Sequence, residues 1–270
     1  MSREAIRAYR EAVEEAWKPG TDPQVAAAQL ESYAQRLRQA RPGDTLLACA
    51  LQRALRKLPE GCEAVRSSLR ESLDRAQAAD DTLLCQAETL FRPSTRALTL
   101  GCDSRIRKLL LRCGPLLESV TVAEGRPDGS GVRLAEALGA QTIPVRLVTE
   151  AELELVAPEC DLAVVSAERV LPSGDVVATV GTAVLARVCA GHQVPFYVLA
   201  ERDRWVPEGM DLAHFAWERR PPAAVLSQPP CGVQVLNVAY DLTPAALVTG
   251  YVVETGIITT PLAAELRPAA

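Results

Sequence analysis

The stretch DLAVVSAERVLPSGDVVATVGTAVLARVCAGHQVPFYVLAE (161–201) decides the fold that we predict for this chain. Its runs at 162–165 and 196–199 are short and apolar at every position, which is typical of strands buried on both faces. Between them, residues 182–190 have the composition and spacing of a helix that follows a glycine turn. Strands alternating with helices in this way predict a parallel sheet covered on both sides.

The same texture extends in both directions from this stretch, and it begins at about residue 93. Further apolar runs predict strands at 97–100, 119–123, 143–148 and 233–236. Helical patterns between and after them predict helices at 103–112, 130–138 and 243–254. We therefore assign residues 93–270 to a Rossmann-like α/β domain with a mostly parallel sheet. Ligands of such sheets bind at the carboxyl ends of the strands.

Residues 1–92 have a different composition. Ala, Leu, Arg, Glu and Gln dominate, and apolar residues recur at helical spacing, as in Val25, Leu30, Tyr33 and Leu37. Turn signals containing Pro and Gly separate the helical stretches. This region is predicted to be a helical domain.

Composition excludes several functions. The net charge is −5, from 29 basic and 34 acidic residues, and no basic run predicts direct nucleic-acid binding. No apolar stretch approaches the about 18 residues that a membrane span needs. The amino terminus is charged from the start, which predicts a cytoplasmic protein. The eight cysteines are scattered without metal or disulfide spacing, so no metal and no cofactor is predicted.

Four segments carry a resemblance to a known family. They are TLGCDSR (99–105), VAEGRPDGSG (122–131), the stretch 161–201 and NVAYDLTPAALVTGYVVETGII (237–258). In order and spacing they resemble the α, β and δ subunits of translation initiation factor 2B, a family that includes methylthioribose-1-phosphate isomerase and ribose-1,5-bisphosphate isomerase. The helical region is similar through one motif, ARPGDTLLACAL (40–51).

The resemblance implies roles for individual residues. Arg41 would hold a phosphate, because a planar guanidinium donates two parallel hydrogen bonds, although an ordinary turn arginine fits equally well. Cys102 stands where the isomerases have a catalytic cysteine, and a helix start beside it would depress its pKa; a buried strand cysteine is the alternative. Glu168 stands where they have a catalytic aspartate. A glutamate here resembles the α regulatory subunit, and a purely structural carboxylate is the alternative.

Other positions depart from the isomerases. Ser130 replaces a substrate-binding glutamine, and Ala178-Thr179 replaces an Asn-Lys pair. The glycine turns and the start of the helix at 182 would still offer N–H donors to an anion, although the need for glycine in tight turns alone also explains these residues. The positions that the resemblance assigns to a sugar phosphate or nucleotide are Arg41, Arg126, Ser130, Gly181, Thr182 and Asp241.

Three functions follow as hypotheses. The first is a non-catalytic regulatory protein, resembling the α subunit, that binds a phosphorylated sugar or nucleotide. It would form a homodimer and bind a protein partner of initiation-factor type. The second is an aldose–ketose isomerase that uses Cys102 and Glu168. The third is a scaffold without a ligand.

Two further expectations concern surfaces. In a long loop, three aromatic residues would cover a ligand or partner: Trp205, Phe215 and Trp217. Four residues near the carboxyl terminus would pack against a second copy or within the core: Tyr240, Val248, Tyr251 and Val252.

Overall fold

The computed structural model describes residues 2–18, 20–40, 45–206 and 219–259. The chain forms two compact units, Met1–Ala79 and Asp80–Ala270. The predicted helical and α/β regions meet at residue 92, whereas the units divide earlier, within a long helix. The last turns of that helix belong to the second unit because Leu83, Leu84 and Ala87 are buried in the same apolar cluster as the first strands of the sheet.

The first unit consists of helices packed around their apolar faces. Ile6, Tyr9, Leu30 and Leu51 are among its buried residues. The Tyr9 hydroxyl donates to the carbonyl of Leu30 at 3.1 Å, so its one polar group is paired inside the core. Its helices are α1 (Ser2–Ala16), α2 (Pro23–Ala40), α3 (Thr45–Arg56) and the first part of α4 (Cys62–Glu88).

The second unit contains a seven-stranded sheet and a three-stranded sheet. The large sheet comprises β1 (Thr95–Leu100), β2 (Leu117–Ala123), β3 (Val145–Val148), β4 (Leu162–Ser166), β7 (Phe196–Leu199), β9 (Gly250–Val253) and β10 (Gly256–Thr259). The small antiparallel sheet comprises β5 (Arg169–Val170), β6 (Val176–Thr179) and β8 (Tyr240–Thr243). The helices of the unit after α4 are α5 (Ser104–Arg112), α6 (Ser130–Gly139), α7 (Leu153–Val156) and α8 (Thr182–Gly191).

The strand order of the large sheet is β10-β9-β7-β4-β1-β2-β3, and every pairing is parallel except that of β10 with β9. The predicted α/β class with a mostly parallel sheet is confirmed. The chain proceeds from β1 to the edge at β3 and then returns to place β4 on the other side of β1. The order therefore reverses between β1 and β4, where sheets of this kind bind ligands.

Two predicted elements are wrong. Residues 233–236 form no strand, and Val233 and Leu236 are exposed. Residues 243–254 form no α-helix: they contain a short 3-10 turn (Ala245–Leu247) and then β9. The helical spacing of the apolar residues was misleading there, because β9 is buried at all four positions between β7 and β10 and its Tyr and Val residues favour a strand.

Among the described residues, no helix combines the length and apolar character needed to cross a membrane.

Candidate functional site

The candidate catalytic residues leave the sheet from adjacent strands. Cys102 lies two residues beyond β1, and Glu168 lies two residues beyond β4. The strands are parallel neighbours with Leu98 opposite Ala163, so both loops emerge at the same edge of the sheet. The Thr99 hydroxyl ties the strands further by donating to the carbonyl of Val164 at 2.8 Å. Two residues far apart in sequence are thus delivered to the point where the strand order reverses.

The loops after β1 and β2 meet at Ser130, the first residue of α6. The Cys102 N–H donates to Ser130 Oγ at 3.1 Å. Gly101 and Gly125 have φ of +66° and +75°, and a Cβ on either would stand 2.8 Å from the same Oγ. Glycine is required at both places by the backbone conformation and by this close approach. Ser130, predicted as a ligand contact, therefore also fixes the two loops, while its hydroxyl keeps a proton to donate.

The Cys102 thiol is half-buried, and that burial raises its pKa above the ordinary value of 9.0. Asp103 acts in the same direction, while Arg107 and Arg133 act against it. The depressed pKa expected from the helix start is therefore wrong. Asp103 is the N-cap of α5 and accepts from the Arg105 N–H at 2.8 Å, so a carboxylate rather than the thiol occupies the end of that helix.

Glu168 is paired with two arginines. Arg204 donates from Nη1 to Oε2 at 2.9 Å, and Arg169 donates from Nη1 to Oε1 at 3.4 Å. Arg204 also donates to the Glu168 carbonyl at 3.1 Å. The side chain is 40% exposed, so ligands can reach it, but both of its oxygens are already engaged. The carboxylate is held in one orientation by charge-assisted hydrogen bonds.

A buried ion cluster adjoins these residues and has no counterpart in the sequence predictions. Arg105 pairs with Glu201, which follows β7, and with Asp80 of α4, at 3.1 Å from Nε to Oδ1. Arg105 also donates to Ser166 Oγ at 3.3 Å, and Glu201 lies 3.6 Å from Arg204 Nε. Burial, followed by the hydrogen bond to Asp80, raises the pKa of Glu201. The cluster connects the ends of β4 and β7 to Glu168 through Arg204.

Asp241 binds the start of α8. Its Oδ2 accepts from the Gly181 N–H at 2.7 Å and from the Ala183 N–H at 3.1 Å. The prediction that this helix start offers free donors is wrong for these two groups, because a carboxylate of the same chain already binds them. Thr182 is buried and donates to the carbonyl of Thr179 at 2.6 Å, so it does not cap the helix.

Glu150 is a further residue of the site, which sequence reasoning did not identify. It follows β3, and its Oε1 accepts from the N–H groups of Gly125 at 2.7 Å and Arg126 at 3.1 Å. A Cβ on Gly181 would stand 3.8 Å from its Cγ. Glu150 therefore lies between the loop after β2 and the start of α8. One glutamate after a strand has no distinguishing spacing in the sequence, so no pattern could have identified it.

The remaining predicted contacts differ in their setting. Arg126 is exposed, and no ion pair involves its guanidinium within the part of the chain that is described. Arg41 lies outside the described residues, as do Phe215 and Trp217. Trp205 packs on Tyr251 with ring centroids 5.5 Å apart.

The loop that returns toward β8 is tied to the loop after β2. Arg220 is ion-paired with Asp128 and lies over the Tyr240 ring, 5.9 Å from its centroid. Val248, Tyr251 and Val252 are buried within this chain, and the Tyr251 hydroxyl donates to the Gly174 carbonyl at 2.6 Å. These three residues belong to the core of the unit, the alternative that the sequence left open.

Within the described ranges, no group of three or more His, Cys, Asp and Glu side chains is arranged to hold a metal ion.

Comparison with known proteins identifies relatives of two kinds. The model of the initiation factor 2 subunit family matches residues 1–260. A translation initiation factor eIF-2B subunit 2-like protein of Pyrococcus furiosus is 31% identical over 206 residues, covering 74% of this chain and 70% of its own. Methylthioribose-1-phosphate isomerase of Klebsiella pneumoniae is 32% identical over 266 residues, covering 85% and 74%.

Solved structures of both kinds share the fold. Translation initiation factor eIF-2B of Pyrococcus horikoshii has a TM-score of 0.79 at 23% identity, covering 96% of this chain and 90% of its own. The 5-methylthioribose 1-phosphate isomerase of the same organism has a TM-score of 0.81 at 21% identity, covering 97% and 80%. At these identities the likeness concerns the fold alone.

Proposed function

The chain belongs to the initiation factor 2 subunit family, and from this premise we propose that it is a non-catalytic regulatory protein, similar to the α subunit of initiation factor 2B, that binds a sugar phosphate or nucleotide. The ligand would lie at the carboxyl edge of the parallel sheet, where the loops after β1, β2 and β4 emerge. The observation that carries the proposal is the ion pairing of Glu168 with Arg204 and Arg169.

That pairing bears directly on proton transfer. A general acid or base must reach the substrate with a free proton or lone pair and a pKa suited to the task. Each Glu168 oxygen already accepts a hydrogen bond from an arginine, which leaves fewer of its lone pairs for a substrate. The raised pKa of the Cys102 thiol opposes thiolate formation. The two groups that an isomerase would use are positioned but not prepared for chemistry.

Ligand binding is supported by what remains at the edge. Arg126 presents an exposed guanidinium suited to a phosphate, and Ser130 keeps a hydroxyl proton beside Cys102. Gly101 and Gly125 permit close approach of the backbone. We include in the proposal a homodimer and a protein partner of initiation-factor type, both implied by the resemblance.

Calorimetry on the full chain tests the binding. Titration with ribose 1,5-bisphosphate, methylthioribose-1-phosphate and AMP should give saturable binding of at least one compound, and Arg126→Ala should weaken it. The exposed Arg75→Ala serves as a matched control, because Arg75 lies on α4 and pairs with Glu71, one turn away on the same helix. Absence of binding by all three compounds would overturn the proposal. Sedimentation that shows only monomers would remove the homodimer from it.

A second candidate function is aldose–ketose isomerisation of a sugar 1-phosphate, favoured by one specific observation. Cys102 is retained at the end of β1, beside the strand that carries Glu168. In this alternative Cys102 transfers a proton between the reacting carbons while Glu168 steadies a substrate hydroxyl. Turnover of methylthioribose-1-phosphate or ribose 1,5-bisphosphate, abolished by Cys102→Ser and unaffected by the exposed Cys231→Ser, would establish it and reject the non-catalytic proposal.

A further inference from the structure

The Glu150 carboxylate is fixed at one oxygen only. Two N–H groups of the loop after β2 donate to Oε1: that of Gly125 at 2.7 Å and that of Arg126 at 3.1 Å. Among the described residues, no group donates to Oε2. Asp241 differs, because its two oxygens both receive hydrogen bonds from the start of α8. Glu150 thus presents an anchored carboxylate with one uncommitted acceptor.

The loop that anchors Glu150 is held in place by other bonds. The Gly129 N–H donates to the Gly125 carbonyl at 2.9 Å, and the Gly131 N–H donates to the Glu124 carbonyl at 2.8 Å. The Glu124 N–H donates to the Val148 carbonyl at 2.9 Å, and Ser130 joins the loop to Cys102. The bracing of this loop accounts for Oε1 of Glu150, and no bond within the described residues accounts for its Oε2.

The surroundings of Glu150 indicate what its second oxygen would bind. Its side chain stands between the loop after β2 and Gly181, where an added Cβ would stand 2.9 Å from Leu100 Cδ1 at the end of β1. An ionised carboxylate accepts hydrogen bonds and repels anions, so it suits a hydroxyl and not a phosphate. Fixed acidic side chains after the strands of Rossmann folds bind ribose hydroxyls in this way. Arg126, next to the anchor, supplies the charge that suits the phosphate.

We propose that Glu150 is a specificity-determining residue that accepts a hydrogen bond from a sugar hydroxyl of the ligand, with the ligand's phosphate on the Arg126 side. The inference rests on the proposed function and deepens it by assigning a sugar hydroxyl of the ligand to Glu150. Two backbone N–H groups fix the carboxylate before the ligand arrives, which lowers the entropic cost of recognition.

The test compares two probes, ribose 1-phosphate and inorganic phosphate, by calorimetry on the full chain. Glu150→Gln keeps the anchoring oxygen and replaces the free acceptor by a neutral donor. We expect the substitution to lower the affinity for ribose 1-phosphate about 10-fold or more, the usual loss for a hydrogen bond to a charged group. The affinity for inorganic phosphate should stay the same or increase. Glu154→Gln, exposed on α7, removes the same charge and should change neither.

Each of the other outcomes of the Glu150→Gln test contradicts the proposed role of Glu150 in a different way. Equal weakening of both probes would show that Glu150 only braces the loop, and tighter binding of both would show that it competes with phosphate. No change in either would show that it lies outside the site. All three overturn this inference and leave the proposed function standing. A wild-type chain that binds neither probe also overturns this inference, whereas the proposed function falls only if ribose 1,5-bisphosphate, methylthioribose-1-phosphate and AMP fail to bind as well. If Glu150→Gln does not fold, Glu150→Asp keeps the charge but withdraws the oxygen, and only ribose 1-phosphate should weaken.

Discussion

Arg105 and Glu201, 96 residues apart, form a two-point ion pair at the carboxyl edge of the sheet. Nε donates to Oε1 at 2.7 Å and Nη2 donates to Oε2 at 2.9 Å. Each residue is 8% exposed, and the neighbouring Asp80 is 3% exposed. Two buried carboxylates therefore share this guanidinium, with Arg204 3.6 Å from Glu201 and Lys108 3.5 Å from Asp80 as further cations.

Replacing Arg105 by Met should destabilise the protein by about 3–5 kcal/mol, because removing one partner of a buried pair leaves uncompensated charge. Urea unfolding measures the loss. Arg107→Met on the exposed face of the same helix should stay within about 0.5 kcal/mol of the wild type. Equal effects of the two variants would show that the cluster contributes no more than an exposed arginine does.

The stability of the protein should decrease as pH rises through the range in which Glu201 ionises. Burial and the hydrogen bond to Asp80 raise the pKa of Glu201 from 4.5 to about 7. The folded state holds that proton more tightly than the unfolded state does. The resulting stabilisation is therefore complete below pH 4.5 and is lost as the pH rises to about 7. Glu201→Gln should remove this part of the pH dependence. Parallel curves of urea midpoint against pH for variant and wild type would contradict the prediction.

Asp241→Ala should destabilise α8 by about 1–2 kcal/mol, because the N–H groups of Gly181 and Ala183 lose their acceptor. Thermal unfolding measures the effect. Glu136→Ala, an exposed carboxylate on α6, is the matched control and should have little effect. A loss no greater than that of the control would mean that solvent replaces the carboxylate without cost.

Alkylation should distinguish Cys102 from an activated catalytic thiol. Because burial raises its pKa, Cys102 should react with iodoacetamide at neutral pH more slowly than the exposed Cys85 and Cys231. Peptide mapping by mass spectrometry gives the rate at each site. If Cys102 reacted first at neutral pH, a thiolate would be present and the isomerase alternative would be favoured.

Local patterns in the sequence were sufficient for most of the large sheet. The predicted strands at 97–100, 119–123, 143–148, 162–165 and 196–199 correspond to β1, β2, β3, β4 and β7. Short runs that are apolar on both faces carry this signal without knowledge of their neighbours. The region 243–254 gave the wrong element because its identity as a strand depends on partners elsewhere in the chain.

The sequence by itself determined the family, the parallel sheet and the positions of Cys102 and Glu168 at the ends of two strands, since motifs and apolar periodicity are local properties. Only the tertiary structure decided which charges meet. Asp241 binds the start of α8, Glu150 binds the loop after β2, and Arg204 binds Glu168. The physical reason is that these contacts join segments 24 to 60 residues apart, and their geometry is fixed by strand order and helix placement, which spacing along the chain does not encode.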